Sequence, residues 1–315
     1  MAVSTGDLFG EAAGAQPATP GSYGQRPAGA ALPDATRLGA VRLAVADAAR
    51  SRDYYERVLG LRGLPAVDDA VRLAAHGDDA PLVELVETPG ARRADSRPHW
   101  GLFHFAILLP DRPALGRFVR HVSDLGVRVG AGDHLVSEAF YLTDPDGLGI
   151  EVYADRPRDT WQRLGRELML ATDPVDVQAL IRDAGDAAWD GMPQGTRMGH
   201  VHLHVGDVAA AGVYYGDTIG FDRTTWRYPG ALFLGAGGYH HHVGANVWAG
   251  RSATAARADE ARLLSWTMEV PTPSDVEAIV ARLTAAGHAS APVGDAVEVA
   301  DPWETVARIR PAVPA

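Results

Sequence analysis

Between residues 102 and 153 the chain sets a histidine and a glutamate inside otherwise apolar strands. His104 sits in the run 103–109 (FHFAILL), and Glu151 sits in the run 150–153 (IEVY). A charge in such a setting is costly unless it is paired or bound to a metal. Two readings follow: a satisfied core histidine with a salt-bridged edge glutamate, or two donors of one metal site. Further histidines gather downstream. His200, His202 and His204 alternate along one strand and so share a face. His240, His241 and His242 form a triplet after a Gly-Gly turn, internal to the chain and too short for an affinity tag. Tyr141 precedes Glu151 by ten residues, and His134 stands seven before that tyrosine.

These residues need elements to hold them. After His104 comes a segment with helical period over 114–125, then strand-like runs at 135–143 and 150–153 separated by the turn Asp144-Pro145-Asp146-Gly147. A second such unit opens at residue 41, where VRLAVADAARSRDYYERVLGLR gives strand, Asp cap, helix and Gly stop. VHLHVGDVAAAGVYYGDTIGFD repeats it at an offset of 160, matching Val41 to Val201, Tyr54 to Tyr214 and Gly60 to Gly220. A gap-free match of this kind marks an internal duplication. The stretch 265–308 echoes the one around His104, with Asp301-Pro302-Trp303-Glu304 at the turn. Four strand–helix–strands modules result, at about 34–96, 97–157, 196–250 and 262–312. Residues 158–195 read as a helical connector, and residues 1–33, rich in Ala, Gly and Pro, as a flexible tail.

Modules opening strand–Asp–helix–Tyr-Tyr–x3–Leu-Gly resemble the vicinal oxygen chelate (glyoxalase/bleomycin resistance/dioxygenase) superfamily. The runs DHLVSEAFYLTDPDG and GGYHHHVGANVW are similar to those of catechol 2,3-dioxygenase-like, type I extradiol enzymes. The resemblance spans residues 34 to 312 and implies an α+β fold, four βαβββ modules forming two cup-shaped half-barrels, with 34–157 and 196–315 as its domains. It also implies that opening and closing strands carry metal ligands. In this chain the opening positions hold Ala40, His104, His200 and Trp266, and the closing positions of modules two and four hold Glu151 and Arg308. The implied ligand set is therefore His104, His200 and Glu151, a facial triad with open positions. By the same counting, module two faces module three and module one faces module four.

The resemblance further implies catalytic roles for His241, beside dioxygen, and for Tyr141 and His134. His134 lies about two residues nearer the tyrosine than the family pattern, and capping the Gly132-Asp133 turn is its alternative. For His202 and His204 the simpler reading is hydrogen-bonded core groups, with His202 a candidate support for a ligand. The expected activity is extradiol cleavage of a small aromatic diol with O2, using Fe(II), or Mn(II) as in some relatives. Alternatives are a glyoxalase-like isomerase or lyase and a non-enzymatic small-molecule (drug) binding protein.

Bulk composition narrows the field. A formal net charge of −11 argues against nucleic acid or an anionic membrane as the main partner. The absence of cysteine excludes disulfides, thiol nucleophiles and iron–sulfur clusters. All 29 basic residues are arginine, which excludes Schiff-base chemistry on a lysine. No apolar run reaches the ~18 residues of a membrane helix, and the first residues lack a signal-peptide pattern. A cytoplasmic location is the expectation, and a homo-oligomer is compatible with it.

Overall fold

Two eight-stranded sheets, each curled into a cup, make up the α+β architecture of the computed structural model, which describes residues 2–10 and 14–312. In every module the opening strand lies parallel to the module's own last strand, as a helical crossover requires. The pairs are Val41 with Val83, Phe105 with Ile150, Val201 with Val243, and Trp266 with Ala307. The free edge of each opening strand pairs with another module. Strand Gly101–Leu108 runs antiparallel to Arg197–His204, so modules two and three share one sheet. Strand Arg37–Val45 runs antiparallel to Arg262–Val270, so modules one and four share the other.

Local chemistry starts and stops the helices as the sequence leads one to expect. Asp47 accepts from Arg50 N, Asp111 from Ala114 N and Asp207 from Ala210 N, and Thr272 forms a capping box with Asp275. Helix Arg112–Asp124 buries Leu115, Phe118, Val119 and Val122, spaced three and four apart against the sheet. Gly60 must be glycine twice over. Its φ is +76°, and a Cβ there would come within 2.7 Å of the Gly191 backbone.

The repeated tyrosine pairs bolt consecutive modules together. Tyr55 donates to the Asp144 carboxylate at 3.2 Å and Tyr54 to Thr143 O at 2.9 Å. In the second half Tyr215 donates to Asp301 at 2.7 Å and Tyr214 to Ala300 O at 3.1 Å. Each aspartate also accepts two backbone N–H groups of its own turn. Consecutive modules are thus joined at their turns, although their sheets belong to different cups.

Three departures from the sequence reading have physical causes. The third module's helix continues from Val208–Ala211 into a π-helical Gly212–Ile219. There Arg223 takes the Gly212 carbonyl at 2.7 Å and the Asp217 carboxylate at 2.6 Å, and Gly212 and Gly216 make room for its guanidinium. The connector is only partly helical. Gly165, at φ +63°, turns Gln162–Leu164 onto Glu167–Leu168, and only Val177–Asp183 is an α-helix. The described part of the tail is not free. Thr5–Phe9 is helical, Gln16–Pro17 adds a strand to the connector hairpin, and Phe9, Tyr23 and Leu32 are buried. Those anchors are too far apart to show a period, so composition alone reads as disorder.

A buried ion pair ties the link between modules one and two to the entry of module four. The Glu260 carboxylate takes the Arg97 fork at 2.7 and 2.8 Å, Arg92 at 3.1 Å and the Arg257 N–H at 2.8 Å. Burial alone would raise this carboxyl, but the Arg97 and Arg257 donors outweigh it and bring it down to about 2. A depressed carboxyl stabilises the fold fully above its unfolded value of 4.5 and loses that contribution as the pH falls toward about 2. Glu260→Gln should therefore cost about 1–3 kcal/mol at neutral pH and flatten the acid limb of the stability curve. Thermal melts from pH 7 to 2.5 check this; parallel curves for both proteins would relieve Glu260 of the role.

Candidate metal centre and its pocket

Three donors converge at the floor of the cup built by modules two and three. His104 comes from strand Gly101–Leu108, His200 from its antiparallel neighbour Arg197–His204, and Glu151 from the parallel neighbour Gly149–Asp155. Across these strands His200, Ala106 and Glu151 stand in one register line. His104 Nε2 lies 2.9 Å from Glu151 Oε2, and His200 Nε2 lies 3.1 Å from the same oxygen. All three side chains are buried.

Two features fit a divalent cation better than a salt bridge. His104 Nε2 lies 2.9 Å from the carboxylate yet has no satisfied hydrogen bond. Donors held at right angles about one ion at ~2.1 Å stand about 3 Å apart, which is the spacing seen. The protonation states agree. Burial works to raise Glu151, but the His200 and His104 imidazoles outweigh it and hold the carboxyl well below its usual range. Burial pushes His200 down to about 4 against the pull of Glu151. A neutral His200 imidazole beside the Glu151 carboxylate is the pair of ligand forms a metal requires.

Above this floor lies a cavity of ≈ 230 Å³. His134, Tyr141 and His241 all line it. Tyr141 is the cross-strand partner of Glu151, and its hydroxyl is 2.5 Å from His134 Nε2. His134 Nδ1 bonds Ala171 O at 2.6 Å, so Nδ1 carries the proton and Nε2 accepts from the tyrosine. The turn is capped by Asp133, which accepts from Leu135 N at 2.9 Å, rather than by His134. Burial holds Tyr141 well above its usual value, and Glu151 adds to this. The His241 ring centroid lies 4.1 Å from that of His200, and burial followed by the neighbouring His200 pushes its value well down. His242 turns to the far side of the sheet, where Nδ1 accepts from Ala236 N. His204 bonds Asn246 Oδ1 at 2.7 Å, while His202, buried beside His104, has no partner for Nε2.

The walls are residues that spacing did not reveal. His202 pairs with His104 and Leu203 with Leu102, which leaves Phe103 as the extra residue of a bulge. Its ring therefore shares the cavity face with His104 instead of alternating away, 4.9 Å from His104 and 5.5 Å from Trp248. Tyr228, Phe233 and Trp248 complete an aromatic wall, and Ala171, Thr172 and Ala2 bring in the connector and the N-terminal segment. The tail residues reach the site because Thr172 N donates to Val3 O, and Asp173 accepts from Thr5 N and Oγ1. The sequence signals were a tryptophan and a tyrosine near the histidine clusters, with nothing to mark the bulge.

The other cup has no such centre among the described residues. There Arg42 pairs with Ser265 and Val41 with Trp266, just as His202 pairs with His104 and Val201 with Phe105. Ser265, not Trp266, is thus the counterpart of His104, and Trp266 is a core residue equivalent to Phe105. The one-residue error arose because aligning two apolar strands leaves register open. Arg308 stands at the Glu151 position and pairs with Glu298 at 2.7 Å. That pair is part-exposed, so Arg308→Ala should cost under about 1 kcal/mol. It should leave metal content untouched by elemental analysis; loss of metal would mean that the wrong cup has been chosen.

Comparison with known proteins agrees with this architecture. Residues 37–152 match the family model described as Glyoxalase/Bleomycin resistance protein/Dioxygenase superfamily. Over 271 residues the chain is 41% identical to a catechol-2,3-dioxygenase of Bacillus subtilis (strain 168), covering 85% of this chain and 94% of that protein. A solved Bacillus subtilis structure superposes with a TM-score of 0.62 at 14% identity, covering 91% of this chain and 87% of the other. Glyoxalase I from Zea mays gives a TM-score of 0.53 at 16% identity, with 88% and 92% covered. At such identities these structural likenesses bear on the fold alone.

Proposed function

The chain belongs to the Glyoxalase/Bleomycin resistance protein/Dioxygenase superfamily, and from that premise we propose that it is a metal-dependent extradiol dioxygenase opening a catechol-type ring with O2. Its 41% identity to a catechol-2,3-dioxygenase supports an extradiol dioxygenase-like enzyme. The observation that carries the reading is the meeting of His104, His200 and Glu151 in a cavity that also holds the Tyr141–His134 pair and His241. We assign the three donors as ligands of Fe(II), with Mn(II) the second choice. The ion supplies a template for two vicinal oxygens and the redox chemistry of dioxygen.

The protein's own groups do the rest. Phe103, Phe233 and Trp248 give a planar ring an aromatic slot. Tyr141 offers its hydroxyl to a substrate oxygen from the strand beside Glu151. His134 Nε2, held toward that hydroxyl by the Ala171 carbonyl, accepts a proton at the same edge. His241 holds the opposite flank, over the face of His200. Among the described residues no arginine lines the cavity, so the slot suits an uncharged ring.

A glyoxalase-like lyase is the second reading, and such enzymes usually carry two carboxylates around the metal. In module three the position equivalent to Glu151 is Gly244, where a Cβ would lie 2.8 Å from the His202 ring. No second carboxylate fits there, which favours the dioxygenase. The test is metal analysis of protein purified without air, followed by oxygen uptake with catechol. About one Fe or Mn per chain with catechol-dependent uptake is expected. Metal without uptake would leave the lyase reading ahead.

A further inference from the structure

His241 is not alone behind the cavity. Its Nδ1 lies 2.7 Å from Nδ1 of His240, and Nε2 of His240 lies 3.0 Å from Oδ1 of Asp155. His240 is fully buried, packed under Trp161 and Tyr153, whereas Asp155 closes the last strand of module two and is 23% exposed. Tyr239 also donates to Asp155, at 3.3 Å, and Tyr153 bonds Tyr239 at 2.6 Å. An Asp–His–His chain therefore runs from the part-exposed Asp155 to the cavity.

With both imidazoles neutral, donor and acceptor counting fixes the protons along this chain. A carboxylate only accepts, so His240 Nε2 must carry a hydrogen. A neutral imidazole protonated there has a bare Nδ1, which can only accept. His241 must then donate through Nδ1–H, which leaves its Nε2 without a proton. We propose that Asp155 and His240 are positioning residues that lock His241 in the Nδ1–H tautomer, so that the nitrogen left for the cavity is a bare acceptor. The catalytic consequence rests on the dioxygenase reading: the bare Nε2 of His241 is the acceptor for the proton released by a catechol hydroxyl, and does not serve as a ready-made donor there. A proton gained at Nε2 is supported from behind, because the Nδ1–H bond leads through His240 to a carboxylate, as in other Asp-oriented histidines. With His240 in its neutral form, the tautomer itself follows from the hydrogen bonds.

The test reads the tautomer first. Full-length protein with ¹⁵N-labelled histidine, metal-free and loaded with diamagnetic Zn(II), is examined by long-range ¹H–¹⁵N correlation. The His241 signals are identified by their loss in His241→Asn. Wild type should show Nε2 of His241 unprotonated, and His241 protonated at Nε2 in the wild type overturns the proposal without any variant. His240→Phe, which keeps a ring but no acceptor, and Asp155→Leu should both shift His241 toward the Nε2–H form. Asp155→Asn, whose carbonyl can still accept from His240, should restore the Nδ1–H form. A tautomer unchanged in both His240→Phe and Asp155→Leu also overturns it. Kinetics separate the two layers. His240→Phe should lose about 10²-fold in kcat with KM for catechol little changed and metal retained. Absence of catechol cleavage in the wild type defeats the functional reading but not the tautomer, and an unchanged kcat after the tautomer has flipped defeats the catalytic consequence.

Discussion

Glu151→Ala should leave a folded protein that no longer holds stoichiometric metal and no longer consumes oxygen with catechol. The carboxylate is the only anionic donor of the three and sits about 3 Å from both imidazole nitrogens. Without it, two neutral rings face the cation in a buried site and nothing offsets its charge. Loss of a mere supporting partner of a ligand already costs 10–100-fold in metal affinity, so loss of the ligand should exceed about 100-fold. Glu151→Gln, with the same shape and no charge, should fail almost as badly, which distinguishes charge from packing. Folding should survive because the metal-free protein loses a desolvated carboxylate rather than a core side chain. Elemental analysis with circular dichroism decides the matter, and one equivalent of metal in Glu151→Ala would remove the triad from consideration.

His134→Gln and Tyr141→Phe should each slow turnover by about 10²–10⁴-fold while metal binding stays intact. The pair is joined at 2.5 Å, and each ring faces the cavity. If they work as one proton-handling unit, the double variant should be little worse than the poorer single one. Independent roles would instead multiply the losses. His134→Gln should also cost only about 1 kcal/mol of stability, since Asp133 carries the turn and the Ala171 carbonyl loses a single donor. Single-turnover mixing of anaerobic enzyme–catechol complex with dioxygen reads the rates, and calorimetry reads the stability. A His134→Gln enzyme with normal turnover would reduce that histidine to a bond with the connector.

Sequence by itself determined the modular plan and picked out most of the candidate centre. A duplication at offset 160 is legible because strand, Asp cap, tyrosine pair and glycine stop are local signals with local causes. His104 and Glu151 stood out because an ionisable group in an apolar strand is expensive and needs a partner. The function of the tyrosine pair, by contrast, lies in turns about 90 residues away, where Tyr55 meets Asp144. Only the tertiary structure decided Phe103, because a one-residue bulge reverses the face that alternation assigns. It likewise decided that Ser265 rather than Trp266 answers to His104, since register is a property of two strands and not of one. The tail's burial, the His134–Ala171 bond and the Asp155–His240–His241 chain all join residues whose separation in the chain carries no period. Local energetics wrote the elements and their costly residues into the sequence, whereas the cavity's walls and proton positions arise where distant strands pack, and only packing fixes them.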